Sequence, residues 1–214
     1  MKRLLRWLLV TSLLGIAIIL GGGAADRWLW AYVLSFTAVG AFAVGSMNDD
    51  LAKERFSPPE PGADKVPLLF VRLVALAHIV VGVLDNRFNW TTLPSSLRGA
   101  GLVAFLAAFG LIIHAMRTNR FFSAVVRIQT DRGHDVVDRG PYAVVRHPGY
   151  AAMIVAVPAS GLALGSWWAV AVGLLYSSLV LRRVWFEDRY LRERLQGYTD
   201  YTRRVPYRLV PGVW

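Results

Sequence analysis

Long apolar runs separated by short polar breaks set the pattern of this chain. Leu4–Leu20, Trp28–Met47, Pro67–Leu84 and Leu93–Met116 are the first four runs. Tyr150–Leu164 and Trp167–Leu181 follow after a polar, basic stretch at Arg117–Pro148. A hydrocarbon core about 30 Å thick takes about 20 apolar helical residues to cross. The pattern therefore predicts an all-α, polytopic membrane helical bundle with about six transmembrane helices. The last two runs are parted only by Gly165-Ser166, which predicts a helical hairpin. Leu4–Leu20 resembles a secretory leader followed by a small-residue region, Gly21–Ala25. It is long for a leader, and we read it as a retained helix. Between Asn48 and Lys65, Pro58, Pro59 and Pro61 rule out a continuous helix.

Composition agrees. Of 214 residues, 55% are hydrophobic and 18% charged, whereas a soluble domain averages about 25% charged. Eight Trp and eight Tyr suit a protein with two interfaces to anchor. With no Cys, disulfides and thiolate chemistry are excluded. A net charge of +10 could suggest nucleic acid. Its distribution points to a membrane instead. With the N-terminus inside, the outer loops hold only Arg27, Arg87 and Arg98 of the 24 Lys and Arg. That asymmetry follows the positive-inside rule. It predicts a protein of the cytoplasmic (inner) membrane with both termini cytosolic, contacting membrane lipids. Residues 1–116 then form an N-terminal four-span part, and 117–214 a part with the cytosolic loop, hairpin and tail.

The chemistry-bearing residues lie in that second part. Gly140-Pro141-Tyr142 reads as a turn, and Arg146-His147-Pro148-Gly149-Tyr150 enters the hairpin. His147 precedes a proline, which biases it toward extended backbone. We expect this to expose its carbonyl and side chain. At the inner end of the last span come Arg183, Glu187 and Asp188. Arg183 and Glu187 share a helix face, where an i,i+4 ion pair is the plain reading and a functional pair the sharper one. Tyr198 and Tyr201 are either packing residues or a pocket wall.

From Phe121 to Pro206 these features resemble the isoprenylcysteine carboxyl methyltransferase family and its phospholipid methyltransferase relatives. They are the Gly-Pro-Tyr turn, Arg-His-Pro-x-Tyr, the hairpin, the paired acids and a Gly/Tyr tail. The resemblance implies methyl transfer from S-adenosylmethionine to a membrane-embedded lipophilic acceptor. That acceptor is the carboxylate of an isoprenylcysteine-like molecule or the amine of a lipid headgroup. It implies a cofactor pocket from His134, Asp135, Val136, Val137, Tyr142, Arg146, His147, Pro148, Gly149, Tyr150 and Glu187. Arg183 would position the acceptor, with Arg183 and Glu187 as the catalytic pair. A family Gln falls nearest Gln129 or Arg127. Asp188 stands where the family prefers Glu, and the tail spacing at Gln196-Gly197-Tyr198 is shorter than usual. Basic groups and backbone N–H groups suit the cofactor's carboxylate, and an acid suits its ammonium or ribose. Tyr faces suit its adenine and sulfonium. Of the groups in reach, His134, His147 and the acids are the candidate bases. No metal, nucleic acid or protein partner is implied.

A second resemblance competes. Sterol-reductase-type membrane enzymes, which use NADPH, share Arg-His-Pro-x-Tyr and the Val205–Gly212 stretch. The chain is short for that family and has Gly149 where those enzymes place Asn. A non-enzymatic scaffold is the third class.

Overall fold

A computed structural model describes residues 2–214. Among the described residues, eight α-helices follow one another: α1 (Lys2–Gly22), α2 (Arg27–Gly45), α3 (Asp49–Phe56), α4 (Lys65–Phe88), α5 (Ser95–Thr118), α6 (Pro148–Leu164), α7 (Trp167–Arg194) and α8 (Tyr198–Arg204). Short 3-10 turns occupy Thr130–Arg132 and Gly140–Ala143, and the described residues contain no strand. Helices α1, α2, α4, α5 and α7 are each long and apolar enough to cross a membrane, and α6 is a shorter apolar helix. The chain is thus a polytopic helical membrane protein.

Apolar packing joins the helices across residue 116. Ile18 and Ile19 of α1, Leu29 and Tyr32 of α2, and Phe105 of α5 share one core with Ala152, Ala156, Ala159 and Leu164 of α6. The alanines let α6 sit close to α5. The hairpin is tighter still. A Cβ at Gly161 would lie 2.6 Å from the Val170 backbone nitrogen, so only glycine allows α7 this close. Gly165 turns the chain in a left-handed conformation with φ 83°, and the Ser166 side chain then accepts from Ala169 N–H to start α7.

Pro158 sits inside α6 and cannot donate to the Ile154 carbonyl. The Ser177 hydroxyl of α7 lies 2.8 Å from that carbonyl and takes its place. Two further buried polar groups in the bundle are also matched, as a membrane interior demands. His78 reaches the Ala169 carbonyl at 2.8 Å and the Ser160 hydroxyl at 2.6 Å. Arg98 caps the Ala163 and Leu164 carbonyls at the end of α6 and pairs with Asp26 at 2.7 Å.

Two features depart from the sequence expectation, and both build the site. The last apolar run ends at Leu181, yet α7 continues to Arg194. At 28 residues it extends about 42 Å, well beyond an approximately 30 Å hydrocarbon core. Its charged final turns keep helical geometry because other segments pack on them. The polar stretch after α2 contains α3, started by the Asn48 side chain accepting from Leu51 N–H at 2.8 Å. The prolines follow α3 and end it, as their geometry requires.

Candidate functional site

Three segments converge on the end of α7. The first is the α5–α6 connection, the second the entry to α6, and the third the tail after α7. Asp188 is the hub. Its fully buried carboxylate takes a two-pronged hydrogen bond from Arg146, Nε at 2.7 Å and Nη2 at 3.1 Å. Arg208 Nε approaches at 2.9 Å, the Tyr198 hydroxyl at 3.1 Å and His147 Nε2 at 3.3 Å. Arg146 Nη1 also donates to the Val205 and Pro206 carbonyls. Backbone N–H groups of Arg146 and His147 donate to the Tyr207 and Arg208 carbonyls at 3.0 and 2.9 Å. One aspartate therefore fastens the tail to the start of the hairpin through charge-assisted bonds.

A second lock holds the α5–α6 connection to the N-terminal helices. Glu54 of α3 accepts from Arg127 Nη2 at 2.7 Å, from Arg127 Nε at 3.1 Å and from the Ser123 hydroxyl at 2.6 Å. Burial works against the charge on Glu54, but the bonds from Arg127 and Ser123 outweigh it and hold the carboxyl below its ordinary range. Asp64, at the start of α4, accepts from Val126 N–H at 2.9 Å. Arg183 Nε lies 2.8 Å from the other Asp64 oxygen in poor hydrogen-bonding alignment, an ion pair by distance. Arg183 Nη2 donates to the Ala124 carbonyl at 2.7 Å.

Between these locks lies a cavity of about 380 Å³, within the range of small-molecule sites. From the connection it is lined by Arg127, Gln129, His134, Asp135, Val136 and Val137. From the 3-10 turn and the entry to α6 come Tyr142, Arg146, His147, Gly149 and Tyr150, and from α7 come Arg183 and Glu187. Tyr198 and Tyr201 of α8 form part of its wall. Pro148 does not line it; as first residue of α6 it is fully buried.

Individual roles differ from the sequence reading in three places. The His147 carbonyl is not exposed: it accepts from Ala151 N–H at 3.0 Å and starts α6. The proline after it occupies the first helical position, where no N–H is needed. Arg183 and Glu187 form no ion pair. Arg183 turns to Asp64 and Ala124, while Glu187 accepts from the Tyr150 hydroxyl at 2.6 Å and makes no salt bridge among the described residues. His134 is not free to act as a base. Burial pushes its imidazole down to about 4, so it is neutral at pH 7, and its Nδ1 accepts Gln129 N–H at 3.2 Å. Its proton then sits on Nε2.

Gln129 and Arg127 both reach the cavity and both bond within the protein. Gln129 donates to the Phe121 carbonyl and accepts from Arg132, and Arg127 is held by Glu54 and Asp131. Sequence reading missed Glu54, Arg55, Asp64 and Arg72. Glu54 and Arg127 are 73 positions apart, and nothing local marks them as partners.

Residues 100–193 match the family model of the isoprenylcysteine carboxyl methyltransferase family. A curated relative, "Protein-S-isoprenylcysteine O-methyltransferase B" of Arabidopsis thaliana, is 26% identical over 89 residues. That alignment covers 41% of this chain and 45% of the relative, so the chain matches less than half of that protein's length. Among solved structures, the eukaryotic intramembrane Ras methyltransferase, an isoprenylcysteine carboxyl methyltransferase, superposes with a TM-score of 0.62 at 19% identity. The superposition covers 95% of this chain and 74% of the other. In sequence over residues 100–193, and in fold over nearly its whole length, this membrane protein is similar to the isoprenylcysteine carboxyl methyltransferases.

Proposed function

We propose that the chain is a membrane-embedded methyltransferase that moves a methyl group from S-adenosylmethionine to a lipophilic acceptor. The observation that carries this is the composition of one cavity. Its wall includes the loop 134–137 and the Tyr142 turn on one side, and Leu68, Val71, Ala75, Met153 and Tyr176 of the membrane helices on the other. A polar nucleoside and an apolar chain can meet there. Bound S-adenosylmethionine would supply an electrophilic methyl on a sulfonium. The protein's part is to align the two reactants and exclude water.

The residues present fit that cofactor. Glu187 is a half-buried carboxylate that makes no salt bridge among the described residues, suited to the ammonium or the ribose hydroxyls. Backbone N–H groups of Asp135, Val136 and Val137 donate to no protein acceptor among the described residues, and His134 Nε2–H is a further donor. The His147 ring, anchored at Nε2 by Asp188, lines the cavity beside them. Tyr142, Tyr198 and Tyr201 supply aromatic faces. Gln129 keeps one amide N–H beyond its bond to Phe121 and is better placed than the doubly paired Arg127. Arg183, in the wall beside Tyr150, would face the acceptor. The charge distribution supports a cavity on the cytosolic face of the inner membrane, with both termini inside.

The test is methyl transfer itself. Purified protein is incubated with native lipid extract and deuterated-methyl donor, and the lipids are weighed by mass spectrometry. A mass increase of one labelled methyl on a single lipophilic class is expected; an unlabelled extract at full donor occupancy would overturn the reading.

A further inference from the structure

The segment after α8 does not stay with that helix. Val205, just past α8, packs with Leu195, Tyr198 and Tyr201 beyond the end of α7. Leu209 is only 4% exposed and belongs to a different core, with Val71 of α4 and Val180 and Val184 of α7. Val184 lies about 16 Å back along the helix from Leu195. The tail therefore runs back along α7 toward the bilayer. Bonds along the way fix that course. Arg208 Nε reaches Asp188 at 2.9 Å, and the Arg146 and His147 N–H groups hold the Tyr207 and Arg208 carbonyls.

Two markers give the depth it reaches. On α7, exposed Trp167 and Trp168 stand at one end and exposed Trp185 toward the other, about 27 Å from Trp167. That is the spacing of the two aromatic belts of a bilayer. Val184 sits at the Trp185 end. On α4, Val71 lies about 9 Å inside the helix start at Lys65, and Leu69, Phe70 and Leu73 around it are exposed apolar side chains. Arg72 and Arg182 are exposed near the same level. Long cationic side chains there reach for water, so this level is the headgroup boundary and not the hydrocarbon centre.

We propose that the tip Val210–Trp214 is a bilayer-docking surface, seated at the headgroup–acyl boundary of the cavity-side leaflet and contacting lipid through Val210, Val213 and Trp214. The make-up of the tip matches that place. Val213 is 80% exposed, Val210 46% and Trp214 36%, and no side chain from Leu209 to Trp214 is charged. Arg208, the charged residue before it, turns inward to Asp188 and lies 5.1 Å from the Trp214 ring centre. Gly212, at φ 78°, turns the chain in a left-handed conformation. The N–H groups of Arg208, Leu209 and Val210 then converge on the Trp214 carbonyl at 2.9, 2.9 and 3.2 Å. A segment next to hydrocarbon has to close its backbone polar groups on one another in this way. The occupant follows from continuity: through Leu209 the tip adjoins the lipid-facing sides of α4 and α7. Val210, Val213 and Trp214 do not line the cavity, so this surface is separate from the site and does not depend on what the cavity binds.

The chain contains no Cys, so single cysteines can be labelled without background. Val210→Cys and Val213→Cys replace side chains that point out of the fold and leave Leu209 in place. Each full-length variant is spin-labelled in nanodiscs of phosphatidylcholine and phosphatidylglycerol. Collisions of the label with oxygen, which concentrates among acyl chains, are compared with collisions with a water-soluble nickel chelate. Val103→Cys, on the exposed apolar side of α5, sets the lipid limit, and Thr199→Cys, on the exposed side of α8, sets the aqueous limit. Both tip labels are expected to favour oxygen over nickel and to lie nearer the Val103→Cys limit. Nickel-dominated collisions at either tip position, at the level of Thr199→Cys, would overturn the proposal and leave the tip on the water-exposed surface.

Discussion

Asp188→Ala is expected to destabilise the protein by about 3–5 kcal/mol, the usual result of removing one partner from a buried ion pair. The carboxylate and the Arg146 side chain are each only 1% exposed. Without Asp188, Arg146 and Arg208 would keep their charges with no acid beside them, and Tyr198 and His147 would lose their common acceptor. Arg146 also holds the Val205 and Pro206 carbonyls, so the tail should loosen along with it. Thermal unfolding in detergent would show the lower midpoint. Limited proteolysis would show new cleavage beyond Arg194. Asp188→Asn, which keeps the shape and loses the charge, should fall between. A wild-type midpoint in Asp188→Ala would mean that the arginines find other partners and that the hub does not organise the site.

Glu187→Gln should behave in the opposite way, with folding intact and donor binding lost. Its neighbour in sequence is structural, but Glu187 is half-buried, faces the cavity and bonds only Tyr150 among the described residues. The glutamine carbonyl can still accept from that hydroxyl. What disappears is the negative charge available to an ammonium or a ribose. Loss of a charge-assisted contact predicts roughly 10- to 100-fold weaker S-adenosylmethionine binding. Isothermal titration of the variant, beside an unchanged unfolding midpoint, checks this. Undiminished affinity would remove Glu187 from the cofactor site.

The contrast between these adjacent acids was not legible in the sequence. Both sit near the end of one membrane helix, and their separation depends on which side of α7 the tail and the connection pack. The same holds for Arg183. Helical spacing places it on the Glu187 face, but Asp64 lies across the connection and Ala124 offers a carbonyl, so the local pair never forms. Arg183→Ala would consequently strand a buried Asp64 carboxylate, and slowed turnover in that variant cannot be separated from lost stability. Periodicity did reveal what depends on local chemistry alone: the apolar spans, the glycine turn at Gly165, and the proline-ended polar stretch after α2. It stopped α7 at Leu181 because hydropathy falls there, whereas hydrogen bonding and the packing of α8 and the tail carry the helix on to Arg194. The sequence motifs marked most of the cavity because they contribute its backbone turns. Glu54, Arg55 and Arg72 lie in earlier helices, where nothing local distinguishes an inward charge from a solvated one.

The most direct measurement is equilibrium binding of radiolabelled S-adenosylmethionine to the purified protein, with NADPH and S-adenosylhomocysteine as competitors. A methyl-donor site formed by the α5–α6 connection and the end of α7 should bind one S-adenosylmethionine per chain, displaced by S-adenosylhomocysteine and not by NADPH. Binding of NADPH in its place, or of neither nucleotide, would contradict it.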